Sequence, residues 1–343
     1  MSTLRNRSEQ IRKFVLENLE ACPTDIAEVT SSQFNLSSKV TNQHLTQLVE
    51  DGLIEAHSAL NNRSYELKTL QEWTQQFTIT PNLAEDVIWS SKIKPRLKAL
   101  SVEAFDLWEH GFTEMFNNAI DHSDGKTVDI HLWQSAIATE ISLDDDGVGI
   151  FKKIQNELQL ADERQAALEL TKGKFTTAPQ RHSGEGIFFT SRMFDSFEIL
   201  SGGIYFTHEN NEDSQWLLDE DRVFPGTTVK MKLSNDTSRS ISSVFNDFSS
   251  GDQHAFNKTV VPVKLAQYGD SKLVSRSQAK RLLVRFDRFE TIVLDFKDVD
   301  RVGQAFADEI FRVFQNKHTH IDLQPINTNE AVARMISRAL SHR

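Results

Sequence analysis

A helix-compatible segment in the middle of the chain contains residues suited to a metal-bound phosphate ligand. In Phe112–Ser123, Glu114 and Asn118 are four residues apart, so a helix would place both on one face. One amide oxygen is a sufficient protein anchor for Mg²⁺, which takes its other ligands from water and phosphates. The spacing therefore predicts a magnesium ligand at Asn118 and a general base, acting on water or a hydroxyl, at Glu114.

A glycine turn follows a predicted strand and contains carboxylates. In Asp144–Ile150 (DDDGVGI), Gly147 and Gly149 allow the backbone to approach a flat ligand closely. Asp145 would lie at the turn and accept a hydrogen bond from an adenine amino group. Further along, Gly226–Val229 (GTTV) opens a strand, and a threonine hydroxyl there would reach the same base.

A second glycine pair, Gly184 and Gly186, precedes a predicted helix. The exposed N–H groups of a helix N-terminus bind anions, and phosphates in particular. Before this pair lies Leu170–Arg181, a predicted flexible loop whose cations would cover a triphosphate. The cations of this loop are Lys172, Lys174 and Arg181.

Helices and strands that would position these segments follow from the spacing of apolar and β-branched residues. The predicted helices are Ile93–Leu100, Glu103–His122 and Ile187–Phe194, and the predicted strands are Thr127–Gln134, Ile137–Leu143 and Thr227–Leu233. This middle segment is therefore expected to be an α/β layer structure.

The ordered set of a helical ExxxN, DDDGVGI, a basic loop, HSGEGIF and a GTT strand resembles the GHKL ATPase superfamily. That superfamily includes gyrase-type topoisomerases, heat-shock chaperones, histidine kinases and anti-sigma-factor kinases. The resemblance covers about Ala84–Leu233 and implies a Bergerat-type α/β sandwich that binds ATP and Mg²⁺. It implies a role in the site for Glu114, Asn118, Asp145, Gly147, Gly149, Gly184, Gly186 and Thr228. Glu185 departs from the pattern, because it would put a carboxylate beside the phosphates.

The first segment predicts helices followed by a β-hairpin with an Asn-Asn tip, and this order resembles a winged helix-turn-helix domain. The third helix, beginning near Ser37, would read DNA bases, and the hairpin would touch a phosphate or the minor groove. The DNA-binding candidates are Lys39, Asn42, Gln43 and Arg63. A protein-interaction role for this domain is the alternative. If it binds DNA, a homodimer would strengthen the binding, because a single half-site contacted by few cations binds weakly.

The last segment alternates strands and helices, which indicates a small α/β domain with a partly parallel sheet. Ile292–Phe296 (IVLDF), Val299 and Phe306–Ile310 resemble the STAS-like (DUF4325-type) domain often fused to such ATPases. Anti-sigma-factor antagonists of this kind have a phosphorylated serine at the corresponding turn. Here that turn has no hydroxyl, and Gln304 lies nearest the expected position. The resemblance implies either a packing module or a binding surface for a protein partner.

These patterns indicate that the 343-residue chain is an α/β multidomain protein. The expected domains are a mainly α winged helix at 1–73, a GHKL ATP-binding sandwich at 84–234 and a STAS-like domain at 258–343. Two polar stretches, Thr74–Leu83 and Asn235–Asn257, are predicted linkers.

Net charge and cysteine content limit the class of protein further. The net charge is -11, with about -3 in the first segment, +5 in the last and the remaining -13 in the middle. This excludes a strong nonspecific nucleic-acid binder. A single cysteine, Cys22, excludes an internal disulfide, and no apolar run spans a bilayer. Together with a start that lacks a signal peptide, this predicts a cytoplasmic protein without a membrane partner.

The function expected from these features is an ATP-binding regulator that binds DNA. In this hypothesis, ATP binding, with or without slow hydrolysis by Glu114, orders Leu170–Arg181 and changes how the flanking domains engage DNA or a partner. One alternative is an anti-sigma-type serine protein kinase acting on another protein. Another is a scaffold that holds ATP without turnover.

Overall fold

The chain is a mixed α/β protein with several sheets and helices. Its computed structural model describes residues 2–59, 62–174, 184–210, 214–249, 256–267 and 272–341. In those ranges, every helix is too short or too polar to cross a membrane. The description below follows the chain from its N-terminal helices to its C-terminal sheet.

The N-terminal part packs helices against a hairpin. In order, it contains α1 (Ser2–Asn18), α2 (Ile26–Phe34), α3 (Ser38–Glu50), β1 (Ile54–Ala59) and β2 (Asn62–Leu67). The helical spacing of the apolar residues places one face of each helix in a small core, with Val15, Leu19, Ile26, Leu45 and Leu48 fully buried. The predicted helices and hairpin are thus confirmed, and α3 begins after Ser37 as expected.

The central part is an antiparallel sheet with the strand order β3-β4-β5-β7-β6, covered by helices. In chain order its elements are β3 (Gln71–Thr78), α4 (Glu85–Ile88), α5 (Val102–His122), β4 (Thr127–Gln134), β5 (Ala138–Asp145), α6 (Ile150–Leu158), α7 (Glu163–Lys172), α8 (Gly186–Met193), β6 (Ser196–Glu209) and β7 (Ser214–Ser234). The helix over Glu103–His122 and the strand over Thr127–Gln134 are confirmed.

One face of this sheet is buried beneath the helices, and the other is polar. On β5, Ile141 and Leu143 face the helical layer, whereas Glu140 and Asp144 point to the opposite face. Helix α5 packs on the buried face through aromatic side chains that are fully buried, namely Trp108, Phe112 and Phe116. Because strand side chains alternate, Asp145 at the end of β5 faces the helical layer.

Two predicted elements are wrong in this part. The expected linker Thr74–Leu83 contains most of β3, whose Trp73 and Phe77 pair with Leu132 and Val128 of β4. Two of the four inward-facing positions of β3 are glutamines, Gln71 and Gln75, which obscures its alternation of apolar and polar residues. The expected helix Ile93–Leu100 does not form: the structure describes residues 94–100 as turns and irregular chain. Helical structure, α4 and a π-helical turn over Trp89–Ile93, ends just before them. Pro95 explains this, because proline lacks the N–H that helix propagation needs.

The C-terminal part is built on a parallel sheet with the order β10-β9-β8. Its elements, preceded by α9 (Ile241–Asp247), are β8 (Lys258–Pro262), α10 (Arg276–Leu282), β9 (Thr291–Asp295), α11 (Gln304–Asp308), a π-helical turn (Glu309–Phe314), α12 (Gln315–Lys317), β10 (Asp322–Ile326) and α13 (Glu330–Leu340). The predicted alternation and parallel pairing are confirmed. Helix α9 lies within the predicted second linker, which is therefore partly helical.

The three parts pack unequally. Buried apolar residues of the central and C-terminal parts form one continuous cluster, whereas the N-terminal part has its own. The N-terminal part contacts the β4–β5 turn, where Ala136 and Ile137 pack against its core and the Leu70 N–H donates to the Gln134 carbonyl at 2.8 Å. This turn is at the opposite end of β5 from Asp145.

The burial of His208 leads us to expect that the stability of the fold depends on pH. This histidine on β6 is 4% exposed, and neither ring nitrogen has a hydrogen-bond partner among the described residues. Burial lowers the pKa of His208 from 6.5 to about 3, and the nearby Arg192 and Arg239 act in the same direction. Below pH 6.5 the unfolded chain therefore binds a proton that the folded chain does not, which destabilises the fold.

We expect the free energy of unfolding to fall by about 2 kcal/mol, because of His208, when the pH is lowered from 7.5 to 5. Urea unfolding at both pH values measures this change, and His208→Phe should show a correspondingly smaller decrease. Equal decreases in both proteins would contradict the assignment to His208.

Candidate functional site

The glycine turn after β5 is hydrogen-bonded to the end of α5. The Val148 N–H donates to the Ser123 carbonyl at 2.9 Å, which ties the turn to the residue that caps α5. Gly149 begins α6 with a φ of 87°, a left-handed conformation that favours glycine. The turn and the helix therefore form one wall of a site at this end of the sheet.

Asp145 uses one carboxylate oxygen to hold this turn. Its Oδ1 accepts hydrogen bonds from the N–H of Gly147 at 2.9 Å and the N–H of Thr227 at 3.2 Å. Within the described chain, Oδ2 accepts no hydrogen bond and is the atom left for a ligand. Burial raises the pKa of Asp145 to about 6, although the two N–H donors act in the opposite direction. The carboxylate is thus mainly ionised at neutral pH.

Glu114 lies at the N-terminus of α8, some distance from Asp145 along α5. A methyl group built on Gly186 would lie 2.2 Å from Oε2 of Glu114, so a side chain at this position would require the Glu114 carboxylate to move. Gly184, with a φ of 75°, and Glu185 lead into α8. The helix rise of 1.5 Å separates Glu114 from Ser123 by roughly 13 Å along α5. The two glycine segments therefore lie at opposite ends of an elongated site.

Asn118 lies between these ends, one turn beyond Glu114 on the same helix. Its side chain is half-buried, and its amide nitrogen contacts only the sulfur of Met115, at 3.9 Å, among the described residues. Among the residues that the structure describes, none donates a hydrogen bond to the carboxamide oxygen, which is left for a cation or a water molecule. This is the position in which the sequence predicts a Mg²⁺ ligand.

His110 lies one turn before Glu114, and sequence reasoning gave it no role. Its Nε2 is buried without a hydrogen-bond partner among the described residues. Burial lowers the pKa of His110, and the carboxylate of Glu114 acts in the opposite direction. The HxxxE spacing on α5 was the available signal, since residues four apart share a helix face.

The structure places Thr227, rather than Thr228, next to Asp145. The hydroxyl of Thr227 accepts a hydrogen bond from the Ile150 N–H at 3.0 Å, at the start of α6. Thr228 points to the polar face of the sheet, where its hydroxyl donates to Oδ1 of Asp144 at 2.5 Å. Side chains alternate along β7, so Thr228 lies on the face of the sheet opposite to Asp145. The threonine on the same side as Asp145 is Thr227, and the expectation for Thr228 is corrected accordingly.

Two lysines of the predicted phosphate loop are directed into the protein. Lys172 is fully buried at the end of α7; its Nζ lies 2.5 Å from Oε1 of Glu169 and donates to the Val284 carbonyl at 2.9 Å. Lys174 donates to the Arg288 carbonyl at 2.9 Å. Both contact the C-terminal part, so these lysines do not fit the expected flexible lid. The third cation, Arg181, is outside the described residues.

The DNA-binding candidates on α3 share an exposed face. Lys39, Asn42 and Gln43 are exposed, and the opposite side of α3 is buried at Thr41 and Leu45. Arg63 is also exposed, with its guanidinium 5.2 Å from the ring centre of Tyr65. The structure therefore leaves all four side chains accessible to a partner.

Comparison with known proteins identifies part of the chain. A family model described as a STAS-like domain of unknown function (DUF4325) matches residues 278–333. The chain therefore has a C-terminal STAS-like domain, which includes β9, β10 and Gln304 at the start of α11. No curated protein matches the chain.

Proposed function

We propose that the central part of the chain is a GHKL-type domain that binds ATP with Mg²⁺ and that the protein is an ATP-dependent regulator. The observation that carries this proposal is the state of Asp145. Main-chain N–H groups hold one of its oxygens, and the other is left on the helical side of the sheet. A fixed carboxylate acceptor in a partly buried site suits an exocyclic amino group such as that of adenine.

The other residues fit the proposed ligand in part. Asn118 would hold Mg²⁺, whose positive charge would neutralise the phosphates. Glu114 would take a proton from a water or hydroxyl at the N-terminus of α8. Lys172 and Lys174 do not fit a phosphate-binding role, because their ammonium groups already have partners in the C-terminal part.

Calorimetry and thermal unfolding with Mg²⁺ and each adenine nucleotide test this proposal. We expect heat of binding and an increase in melting temperature with ATP or ADP, since a ligand that binds the native state stabilises it. Absence of both effects would overturn it. Phosphate tracing then distinguishes the alternatives: free phosphate indicates an ATPase, labelled partner protein a serine kinase, and intact ATP a scaffold. Glu114→Ala should abolish turnover and preserve binding.

We further propose that the N-terminal part is a winged helix-turn-helix domain that binds DNA through α3. The support is the exposed polar face of α3, where asparagine and glutamine can hydrogen-bond adenine edges. The hairpin of β1 and β2 would carry Arg63 to the DNA backbone. A homodimer would add a second half-site, and binding of a protein by this face is the competing outcome.

Asn42→Ala is expected to weaken binding to a selected DNA duplex by about ten-fold or more. The duplex is first enriched from a random pool with the full chain, and affinity is then measured by fluorescence anisotropy. Lys39→Ala should instead weaken binding to all duplexes and reduce the salt dependence. Lys280→Ala, which changes an exposed lysine of the STAS-like domain, is the control. Failure to enrich any duplex would contradict the DNA proposal.

A further inference from the structure

The C-terminal part of the chain contacts both segments that flank the proposed phosphate site. One contact is at the end of α7, and the other is on α8, the helix that begins at Gly186 beside Glu114. Residues 175–183, which are outside the described ranges, connect these two segments in sequence. The contacts at each end are made by different chemical groups.

At the end of α7, Arg285 of the STAS-like domain binds main-chain carbonyls of the central part. One guanidinium nitrogen, Nη2, donates to the carbonyl of Gly173 at 3.0 Å and also to the carbonyl of Lys174. Gly173 is the C-cap residue of α7 and Lys174 follows it, so this donor holds the chain where it leaves the helix. Arg288 adds a hydrogen bond from Nη1 to the Lys174 carbonyl at 2.9 Å.

These hydrogen bonds hold the backbone in an uncommon conformation. Gly173 has a φ of 79°, and Lys174, which has a side chain, has a φ of 52°. Non-glycine residues rarely adopt this left-handed conformation unless surrounding contacts fix it. The direction in which the chain leaves α7 therefore depends on Arg285 and Arg288.

Buried charges fix Arg285 in this position. Its Nη1 lies 3.5 Å from Oε2 of Glu169, whose other carboxylate oxygen is bonded to Lys172. The side chains of Glu169 and Lys172 are fully buried, and that of Arg285 is 7% exposed. Charged groups this deeply buried hold one geometry, because separating them leaves a charge without compensation.

On α8, an aromatic contact links the site to the segment just before β8. The rings of Phe188 and Phe189 lie 4.6 and 4.9 Å from the ring of Phe256, which precedes β8. Phe256 in turn contacts Phe289, at 5.6 Å, near Arg288. Phe188 is two residues from Gly186, so a change at the N-terminus of α8 reaches this aromatic cluster within one helical turn.

We infer that Arg285 is a positioning residue for the nucleotide site and that the C-terminal part, through Arg285 and Phe256, completes this site by fixing both flanking segments. The inference rests on the proposed function, because it concerns the affinity for an adenine nucleotide. By linkage, nucleotide binding must also stabilise the contacts that Arg285 makes.

The first test compares nucleotide affinity in full-length variants. Arg285→Lys retains the charge but has only one nitrogen, which cannot bind the two carbonyls and Glu169 together as Nη2 and Nη1 do. We expect it to bind Mg-ATP about ten-fold more weakly, or ~1.4 kcal/mol. Arg334→Ala, an exposed arginine on α13, is the matched control and should bind as the wild type does. A lower melting temperature with unchanged ATP affinity would overturn the inference, because it would show a structural role alone.

A second measurement uses the wild-type protein and decides the question if Arg285→Lys does not fold. Hydrogen exchange with and without Mg-ATP should show slower exchange at the amides of 285–289 when the nucleotide is bound. Unchanged exchange at these amides, in a protein that binds ATP, would overturn the inference and leave the proposed function intact. A wild-type protein that binds no nucleotide would instead overturn the proposed function.

Discussion

Replacing Lys172 by Met is expected to lower the free energy of unfolding by about 3–5 kcal/mol. The substitution leaves Glu169 fully buried, with Arg285 at 3.5 Å as its remaining cationic partner. Burial lowers the pKa of Lys172 and raises the pKa of Glu169, and the attraction between them opposes both effects. Each group therefore stabilises the charged form of the other against the effect of burial. Urea unfolding at pH 7.5 measures the loss.

A control and a double variant separate the charge effect from packing. Lys280→Met removes an exposed lysine and should change stability by less than about 0.5 kcal/mol. Glu169→Gln combined with Lys172→Met removes both charges and should recover part of the loss. A loss of less than about 1 kcal/mol for the single variant would show that water or another group compensates Glu169.

Replacing Asp145 by Asn is expected to weaken adenine nucleotide binding by about 100-fold, or ~3 kcal/mol. The N–H groups of Gly147 and Thr227 both require an acceptor, so the amide oxygen of the new side chain takes the place of Oδ1. Its NH₂ group then points to the ligand, where an adenine amino group is also a donor. The two donors repel each other, while the turn keeps its hydrogen bonds.

The adjacent carboxylate provides a control of matched chemistry. Asp144 lies on the polar face of the sheet, where it accepts a hydrogen bond from Thr228 and lies 3.5 Å from His131. Asp144→Asn should therefore leave nucleotide affinity within about two-fold of the wild type. Calorimetry on both variants measures the difference. Equal effects of the two substitutions would exclude Asp145 as the specific contact to the base.

The local parts of the site could be predicted from the sequence because their signals are local. The helical spacing of Glu114 and Asn118 and the strand before DDDGVGI depend on residues within one element, and both elements formed as predicted. The threonine assignment depended on the register between β5 and β7, which pairs Asp145 with Thr227. A single-residue difference in a strand reverses the face, so the sequence could not distinguish these two threonines.

The role of the lysines could not be predicted for a different reason. Three cations near a glycine pair resemble a phosphate loop, and nothing local shows that Lys172 is buried. Its environment includes Val284 and Arg285, more than 100 residues later in the chain. The missed strand β3 is a similar case, since Trp73 and Phe77 become part of a core only when β4 pairs with them.

The N-terminal part, which is the proposed DNA-binding domain, lies at the β4–β5 turn. This position affects how a structural change at the nucleotide site would alter DNA binding. Strand β5 has 8 residues, from Ala138 beside this turn to Asp145, and spans about 24 Å. At this distance, a change at Asp145 would reach the N-terminal part only through movement of the sheet. Under the proposed function, the C-terminal part, whose buried residues are continuous with those of the central part, would therefore respond first. Repositioning of the N-terminal helices would then be a later, rigid-body response.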